Sequence, residues 1–295
     1  MTETVLITGC SSGIGRETAL AFLEDGWEVY ATARNPADIE VLGERGCNIA
    51  TLDVTDGDDV ERVVDRMVDE QGRIDCLVNN AGYAQLGPVE DVPVDSVRDQ
   101  FEVNVFGPHR LVRAVLPHMR ERKTGRIINV SSVAGRLSVP GMGVYSGSKF
   151  AMEGLTDALR AEVAEYGVDA VLVEPGPVDT AFTERASDEI EGIERSDAYE
   201  KLYGILDDTQ AIGGGGPGAL PPREVADTIL DAANVTDPAA RYPVGRVAKV
   251  SMLARFIPAS ARDKFYGVVG SLASRNPFGD DSDEGGDDHR GRIRD

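Results

Sequence analysis

Short apolar segments alternate with longer amphipathic segments along most of the chain. The apolar segments are rich in β-branched residues and are bounded by Gly, Asp, Asn or Pro, a composition typical of strands. Strands are predicted at residues 4–8, 27–32, 48–53, 75–80, 125–132, 168–175 and 240–245. Helices are predicted at about residues 14–25, 36–45, 57–71, 96–122, 144–166 and 222–233. Repeated strand–helix units predict an α/β fold, with a doubly wound parallel sheet between two layers of helices.

The segment after residue 180 lacks a strand pattern and contains four consecutive glycines, Gly213–Gly216. It predicts two short helices joined by a flexible hinge, so that residues 181–220 are suited to cover a substrate. An irregular surface connection is the alternative. Residues 276–295 are too polar to pack and are predicted to form a disordered acidic tail. We therefore expect one catalytic domain over residues 1–275.

The charge balance is strongly acidic, with 51 Asp and Glu residues against 30 Lys and Arg residues and a formal net charge of −21. Such a field repels nucleic acids and anionic membranes, so neither is an expected partner. Only five of the basic residues are lysines. Abundant carboxylates with few lysines suit a protein that stays hydrated in concentrated salt, where ions screen its self-repulsion. A high-salt cytoplasm is the hypothesis, and an ordinary acidic surface is the alternative.

The sequence offers no membrane, disulfide or metal signature. No apolar run approaches the ~20 residues that span a bilayer. The N-terminal segment has neither a basic stretch nor a signal-like apolar stretch. Three cysteines without Cys-x-x-Cys spacing and three scattered histidines predict neither a disulfide framework nor a metal site. We expect a cytoplasmic protein without a bound metal.

A glycine-rich turn follows the first predicted strand and opens the first helix, in the sequence ITGCSSGIGRE. Gly9, Gly13 and Gly15 permit a tight turn and a close backbone approach. The N-terminus of the following helix offers free N–H groups to a pyrophosphate. Many strand–helix turns contain glycine, but the position of this one at the first strand–helix junction favours a dinucleotide site.

The end of the second predicted strand favours NADP over NAD. An NAD site has an acidic residue about 20 residues after the glycine turn, where it binds the ribose. The sequence at that place, YATARNP, has no carboxylate and instead has Arg34. Its guanidinium suits a 2′-phosphate, because it forms bidentate, charge-assisted hydrogen bonds. NADP is therefore the predicted cofactor, with NAD as the alternative if Arg34 is merely solvated.

Four motifs occur together in a fixed order along the chain. They are TGCSSGIG at 8–15, NNAG at 79–82, Ser132 followed by YSGSK at 145–149, and PGPVDT at 175–180. Together they resemble the short-chain dehydrogenase/reductase family, in its single-domain branch with a Tyr-x-x-x-Lys motif, over about residues 3–250. A weaker likeness connects the N-terminal segment with members that act on steroids, retinoids or similar lipophilic alcohols. The resemblance implies a Rossmann-type domain and an NAD(P)-dependent enzyme acting on CH–OH groups.

The resemblance also assigns residues to the cofactor. It implies a phosphate turn formed by Gly9, Ser11, Ser12, Gly13, Ile14 and Gly15. The further contacts that it implies are Asp53 and Val54 at the adenine, Asn80, Ala81 and Gly82 at the ribose, and Pro175, Gly176, Val178 and Thr180 at the nicotinamide. Members that prefer NADP often have a basic residue at the position of Ser12, so the preference here depends on Arg34. Asp53 is alternatively a turn-forming residue at a strand end.

Four catalytic residues are implied by the same resemblance, namely Asn104, Ser132, Tyr145 and Lys149. The family's serine lies thirteen residues before its tyrosine, which selects Ser132 over Ser131. Lys149 is also expected to bind the nicotinamide ribose, and Asn104 to hold a water near the lysine. Both Tyr145 and Lys149 are thus expected to touch the cofactor.

Tyr145 and Lys149 lie four residues apart, so a helix places both side chains on one face. A free tyrosine titrates at about pH 10 and is a poor base at neutral pH. An adjacent ammonium favours the phenolate, so we expect Lys149 to lower the pKa of Tyr145, and an oxidised nicotinamide ring to add to this effect. Tyr145 then acts as general base in alcohol oxidation and general acid in carbonyl reduction. An ordinary surface pair is the alternative.

The predicted function is the interconversion of a secondary or primary alcohol and its ketone or aldehyde by hydride transfer with NADP(H). The alternatives are a non-catalytic NADP-binding sensor and a ketoreductase of acyl thioesters. Arg136, Val139 and Met142, with residues 182–206, are expected to line a partly hydrophobic substrate site. The family resemblance implies a homodimer or homotetramer, built through the helices that match 96–122 and 144–166.

Overall fold

The computed structural model of the chain describes residues 2–207, 218–254 and 256–264. The predicted glycine hinge at Gly213–Gly216 and the predicted acidic tail at 276–295 lie outside the described residues. The boundary expected at residue 275 also lies outside them, and it remains a prediction.

A single parallel sheet forms the centre of the described fold. Its seven strands have the spatial order β3-β2-β1-β4-β5-β6-β7, and each pairs in parallel with its neighbours. The strands are β1 (Thr4–Ile7), β2 (Glu28–Ala33), β3 (Asn48–Thr51), β4 (Cys76–Asn79), β5 (Gly125–Val130), β6 (Val168–Pro175) and β7 (Arg241–Val244). This order confirms the predicted doubly wound, Rossmann-type sheet. It also places the topological switch point between β1 and β4, where such sheets bind ligands beyond the carboxyl ends of their strands.

Helices connect the strands and cover both faces of the sheet. They are α1 (Gly13–Glu24), α2 (Glu40–Arg45), α3 (Gly57–Gln71), α4 (Val94–Phe101), α5 (Gly107–Arg122), α6 (Gly143–Val163), α7 (Phe182–Glu191), α8 (Glu200–Leu206), α9 (Pro222–Asn234) and α10 (Gly245–Ala254). Two short helices, α7 and α8, are present after residue 180, but residues 192–199 join them and both precede the predicted glycine hinge. The helix predicted at 96–122 is divided by a π-helical turn, Glu102–Phe106, and α10 was not predicted. Every helix among the described residues is too short or too polar to cross a membrane.

The strands supply two separate apolar cores because alternate side chains point to opposite faces of a sheet. In β1, Val5 and Ile7 belong to the core beneath α1 and α9, whereas Leu6 belongs to the core beneath α3 and α5. All three side chains are fully buried. Burial on both faces explains why the strands are continuous apolar runs without polar alternation.

Two loops meet closely at the amino-terminal edge of the sheet. Lys123 ends α5 in the left-handed region with φ 55°, and Gly167 precedes β6 with φ 68°. A Cβ atom added at Gly167 would overlap the carbonyl oxygen of Lys123. The contact holds the turns before β5 and β6 together, so this glycine is required by both its conformation and its neighbour.

Replacement of Gly167 by alanine should therefore destabilise the fold more than the same change at Gly72. Gly72 has nearly the same φ, 67°, but an added Cβ would meet nothing within 4 Å. A left-handed non-glycine residue costs about 1–2 kcal/mol, and only Gly167→Ala adds the overlap with Lys123. Chemical denaturation of both variants measures the difference, and equal losses of unfolding free energy would contradict the close contact.

Candidate active site

A large cleft opens at the carboxyl ends of the strands, above the switch point. Its volume is about 2180 Å³, more than the ~300–1,000 Å³ of ordinary small-molecule pockets. The predicted site residues that line it are Gly9, Ser11, Ser12, Gly13, Ile14, Arg34, Asp53, Val54, Asn80, Ala81, Gly82, Ser132, Tyr145, Lys149, Pro175, Gly176, Val178 and Thr180. Gly15 and Asn104 lie behind its surface.

The glycine turn between β1 and α1 has no room for side chains at three positions. Gly9 has φ 74°, and an added Cβ would lie 2.8 Å from the Cα of Ala81. Gly13 has φ 55°, and its added Cβ would lie 2.9 Å from Cγ2 of Thr180. A Cβ at Gly15 would overlap the carbonyl oxygen of Gly9. The backbone at the start of α1 is therefore exposed to the cleft with its amides available.

The side chain of Asn80 stabilises this turn by hydrogen bonds to its backbone. Its Nδ2 donates to the carbonyl oxygens of Thr8 at 2.9 Å and Gly9 at 3.2 Å. The hydroxyl of Thr8 in turn accepts from the backbone N–H groups of Asn80 and Ala81, each at 3.1 Å. Thr8 was not singled out by sequence. The Asn80 amide is thus committed to the shape of the turn, while its backbone lines the cleft.

Two charged residues, Arg34 and Asp53, line the part of the cleft that is expected to bind the adenine. Arg34 follows β2, is exposed, and forms no ion pair with any carboxylate of the described residues. Asp53 directs its Oδ1 to the backbone N–H of Thr55 at 2.9 Å and to the Thr55 hydroxyl at 2.8 Å. Its carboxylate therefore shapes a turn, as the alternative interpretation of Asp53 supposed. Arg34 remains available to a ligand.

Ser132 and Tyr145 face each other at the centre of the cleft. Ser132 follows β5 and starts a 3-10 turn at Val133–Gly135, where its Oγ accepts from the Ala134 N–H at 3.1 Å. Tyr145 lies in the first turn of α6 and is 6% exposed. The Ser132 hydroxyl lies close enough to the Tyr145 hydroxyl to act against the rise in its pKa. The neighbouring Ser131 hydroxyl is buried and acts on Glu153 instead.

Lys149 lies one turn after Tyr145 on α6, and its side chain is almost fully buried. Nζ donates to the carbonyl oxygen of Val130 at 2.9 Å and lies 5.9 Å from the centre of the Tyr145 ring. Burial lowers the pKa of Lys149 to about 8, and the Glu153 carboxylate acts against this decrease. The predicted common helix face is present, and the surface-pair alternative is excluded by the burial of both side chains.

The expected decrease in the pKa of Tyr145 is not found in the protein alone. Burial raises the pKa of Tyr145 to about 12, and the Ser132 hydroxyl only partly opposes the rise. Desolvation disfavours the phenolate more than the distant ammonium favours it. Lys149 is directed at Val130 instead of the phenol oxygen. Tyr145 is therefore protonated at neutral pH and is ready to donate a proton.

Asn104 occupies the π-helical turn between α4 and α5 and is fully buried. Its Nδ2 donates to the Tyr83 carbonyl at 3.0 Å and to the Ser148 hydroxyl at 3.2 Å, and its Oδ1 accepts from the Tyr83 N–H at 3.2 Å. The widened turn lets the Asn104 side-chain amide contact both the loop after β4 and helix α6. Its expected link to a water near Lys149 remains a prediction, since its described partners are Tyr83 and Ser148.

Helices α7 and α8 both line the cleft. The loop before α4 holds them in place, because Asp91 accepts hydrogen bonds from the Ser196 N–H at 3.1 Å and the Tyr203 hydroxyl at 2.7 Å. Although partial desolvation favours its neutral form, these hydrogen bonds hold the pKa of Asp91 below its usual range. The sequence did not indicate this role of Asp91, because an acidic residue in a proline-containing segment is typical of any loop.

The walls of this part of the cleft combine apolar and charged side chains. The apolar ones are Leu137, Val139, Pro140, Met142, Phe182, Leu202, Ile205 and Leu206, and the charged ones are Arg185, Asp188, Glu189 and Lys201. Val139 and Met142 are thus placed as expected, but Arg136 is not. Its guanidinium turns away from the cleft, and Nε donates to Glu174 Oε1 at 2.8 Å. The expectation that Arg136 lines the substrate site was wrong, because a buried carboxylate behind the sheet edge binds it.

Comparison with known proteins agrees with this geometry. The family described as short chain dehydrogenase matches residues 3–191. This chain belongs to that family of oxidoreductases. The 3-ketodihydrosphingosine reductase of Bacteroides thetaiotaomicron is a short-chain dehydrogenase relative with 36% identity over 251 residues, which cover 84% of this chain and 90% of the relative.

Solved structures of the short-chain dehydrogenase family share the fold. A short-chain dehydrogenase from Streptomyces avermitilis superposes with a TM-score of 0.76 and 33% identity, covering 94% of this chain and 99% of that one. The closed form of a serine dehydrogenase complexed with NADP+ has a TM-score of 0.72 and 28% identity, covering 83% and 95%. The likeness thus includes a member with a bound dinucleotide.

The cleft of this short-chain dehydrogenase fits such a cofactor. Gly9 and Gly13 line this cleft, and their close contacts with Ala81 and Thr180 leave no room for a Cβ atom at either position. The Ser12 side chain at the start of α1 makes no capping hydrogen bond, and the first turn contains no acidic residue. The amides at this helix N-terminus are therefore available to a phosphate.

Proposed function

We propose that this enzyme interconverts an alcohol and its ketone or aldehyde with NADP(H). The observation that supports the proposal most is the convergence of Ser132, Tyr145 and Lys149 on one cleft beside the bare glycine turn. Such a reaction needs two hydroxyls that bind the carbonyl oxygen and a turn that binds the dinucleotide. The fold alone would not support it, because one fold hosts many functions.

In the proposed reaction, the bound nicotinamide supplies or accepts the hydride. The hydroxyls of Ser132 and Tyr145 orient the substrate oxygen between them. In reduction Tyr145 donates its proton to that oxygen as general acid, and the burial that keeps it protonated favours this direction. In oxidation Tyr145 must first lose its proton. The Lys149 ammonium, which lies 5.9 Å from the ring centre, would favour the resulting phenolate. Lys149 would in addition hold the nicotinamide ribose, with Asn104 positioning the helix behind it.

Tyr145→Phe should reduce carbonyl turnover by about 10²–10⁴-fold, because it removes the proposed general acid. The matched control is Tyr83→Phe, which removes a hydroxyl from the same cleft. Initial rates of NADPH oxidation with a panel of ketones, aldehydes and quinones measure the effect. Near-normal turnover by Tyr145→Phe, with a substrate that the wild type reduces well, would contradict the role of Tyr145.

For the cofactor we propose NADP, with NAD as a weaker alternative. Arg34 lies free at the adenine end of the cleft, and the chain carries a strong excess of negative charge that makes a cation there a marked local feature. The NADP+ complex of the related serine dehydrogenase supports the same choice.

Arg34→Gln should weaken NADPH binding by about 10–100-fold, equal to the ~1.5–3 kcal/mol of a hydrogen bond to a charged group. NADH affinity should be unchanged, since NADH lacks the 2′-phosphate. Arg45→Gln makes the same charge change at an exposed site outside the cleft and serves as control. Fluorescence titration of the wild type and both variants with NADPH and with NADH gives the six dissociation constants. Equal affinities of the wild type for NADPH and NADH would remove the proposed preference.

The apolar side chains among the cleft walls favour a partly hydrophobic substrate. The relative named 3-ketodihydrosphingosine reductase supports a long-chain or similarly lipophilic carbonyl compound. A hydrophobic pocket distinguishes poorly between homologues, so the proposal extends to the class and not to one compound. A non-catalytic sensor and an acyl-thioester ketoreductase are not favoured by any feature of the described site.

We also propose that the enzyme is a homodimer or homotetramer. Phe106 in the π-helical turn is 47% exposed, and Phe150 and Leu155 on α6 are 46% and 49% exposed. Apolar side chains of this size, on the helices through which the family is expected to associate, suit a contact between copies of the chain.

A high-salt cytoplasm is proposed from the net charge of −21. The screening length falls from about 10 Å at 0.1 M salt to about 3 Å at 1 M, which weakens self-repulsion. The melting temperature should rise by about 5 °C or more between 0.1 M and 2 M KCl, equal to roughly 2 kcal/mol. A near-neutral member of the family, measured in parallel, controls for general salt effects. Equal stability and activity without added salt would contradict this proposal.

A further inference from the structure

Two buried carboxylates lie directly behind the catalytic residues. Glu153, one turn after Lys149 on α6, is 4% exposed, and Glu174, near the end of β6, is 1% exposed. Arg136 and Arg241 bind both of them. Arg136 Nε lies 2.8 Å from Glu174 Oε1 and 3.5 Å from Glu153 Oε2, while Arg241 lies 3.1 Å from Glu153 Oε2 and 3.3 Å from Glu174 Oε1. We call these four residues the buried ion cluster.

The buried ion cluster joins the segments that hold the catalytic groups. Arg136 directly follows the 3-10 turn that begins at Ser132, and Glu174 directly precedes the loop expected at the nicotinamide. Gly135 packs so tightly between them that an added Cβ would lie 2.8 Å from Ser131 Oγ, 3.0 Å from Glu153 Cγ and 3.3 Å from the Lys149 carbonyl oxygen. A movement of Glu153 is therefore transmitted to the serine turn and to α6 together.

Three buried polar atoms in this region have no hydrogen-bond partner among the described residues. They are Glu153 Oε1, Glu174 Oε2 and Ser131 Oγ. The Ser131 hydroxyl and the Glu174 carboxylate nevertheless lie close enough to Glu153 to influence its ionisation. Burial raises the pKa of Glu153 well above its usual range, against the opposing effects of the Ser131 hydroxyl and Arg136.

The charge of Glu153 acts on the catalytic lysine. Burial lowers the pKa of Lys149, and the Glu153 carboxylate opposes part of this decrease. The other ionisable groups around Glu153 are Asp157 on α6, Glu174, Arg136 and Arg241. Both arginines keep their charge throughout the accessible pH range. Among the carboxylates it is Glu153 that acts on Lys149, so its ionisation changes the field at that lysine.

We propose that Glu153 is a positioning residue for the catalytic serine and lysine. Held by Arg136 and Arg241, it fixes the serine turn against α6 and provides the negative charge that favours the Lys149 ammonium. As the pH rises and Glu153 ionises, this charge retains the proton on Lys149 to a higher pH than burial alone would allow. The inference rests on the proposed function, from which Ser132 and Lys149 take their catalytic roles. Its first test does not require turnover.

The first test follows the ionisation of Lys149 by NMR in the full chain. The sequence has five lysines, so labelling with lysine enriched in ¹³C at Cε gives five signals, and Lys149→Arg identifies the relevant one. In Glu153→Gln the titration midpoint of Lys149 should fall by about one unit, as expected for loss of a nearby opposite charge. An unchanged midpoint in a folded Glu153→Gln variant would overturn the proposal.

The matched control is Asp157→Asn. It removes a carboxylate from the same Arg241, to which Asp157 Oδ2 lies at 2.7 Å, but it does so one turn farther from Lys149 and at a side chain that is 46% exposed. The Lys149 midpoint should stay at the wild-type value in this variant. An equal fall in both variants would show a general loss of negative charge and would overturn the proposal.

A second variant covers the case in which Glu153→Gln does not fold. Arg136→Gln leaves the two buried glutamates with a single arginine, so Glu153 retains its proton to higher pH and its charge is lost near neutrality. The Lys149 midpoint should again fall, and a midpoint that stays or rises would overturn the proposal. Circular dichroism establishes that each measured variant is folded.

The second readout is the pH profile of kcat for a carbonyl compound that the wild type reduces. The limb that reports Lys149 should move in Glu153→Gln by the same interval as the NMR midpoint, and it should not move in Asp157→Asn. Failure of the proposed function would appear as no NADPH oxidation by the wild type while the lysine shift persists. Failure of this inference alone would appear as an active enzyme whose Lys149 midpoint is insensitive to Glu153.

Discussion

The burial of one ammonium group, that of Lys149, is the constraint on which the described site depends. Nζ has the Val130 carbonyl as its acceptor at 2.9 Å, and the side chain is 5% exposed. A cation in such a place is unstable unless dipoles and negative charge surround it. The strand end at Val130 supplies the dipole, and Glu153 supplies the charge. The close packing of β5, the serine turn and α6 brings these groups to the lysine.

Burial acts in opposite directions on the pKa values of the two central residues. It raises the pKa of Tyr145 to about 12 and lowers the pKa of Lys149 to about 8. In both cases the neutral form is favoured, so the protein alone is prepared for a tyrosine that donates a proton. Oxidation of an alcohol requires the Tyr145 phenolate. The Lys149 ammonium, which favours that phenolate, must therefore keep its proton. The ionisation of Lys149 therefore links the direction of the proposed reaction to the buried ion cluster.

The sheet and the cleft could be predicted because strong local patterns determine them. Apolar runs between amphipathic segments indicated the parallel sheet, and the spacing of Tyr145 and Lys149 placed them on one helix face. Arg136 was expected to line the substrate site, whereas a long-range partner, Glu174, turns it away. The π-helical turn at Asn104 and the role of Asp91 likewise depend on distant partners that no local pattern reveals. The pKa of Tyr145 was misjudged because sequence indicates neighbours but not the extent of burial.

Isotope transfer tests the central claim most directly. NADPH carrying deuterium at the transferring C4 position is incubated with the enzyme and a lipophilic ketone in concentrated KCl, and the alcohol product is analysed by mass spectrometry. The account predicts one deuterium on the carbinol carbon of the product. It also predicts no labelled product with Tyr145→Phe over the same interval. Oxidation of the cofactor that yields an unlabelled alcohol, or equal labelling by the variant, would contradict it.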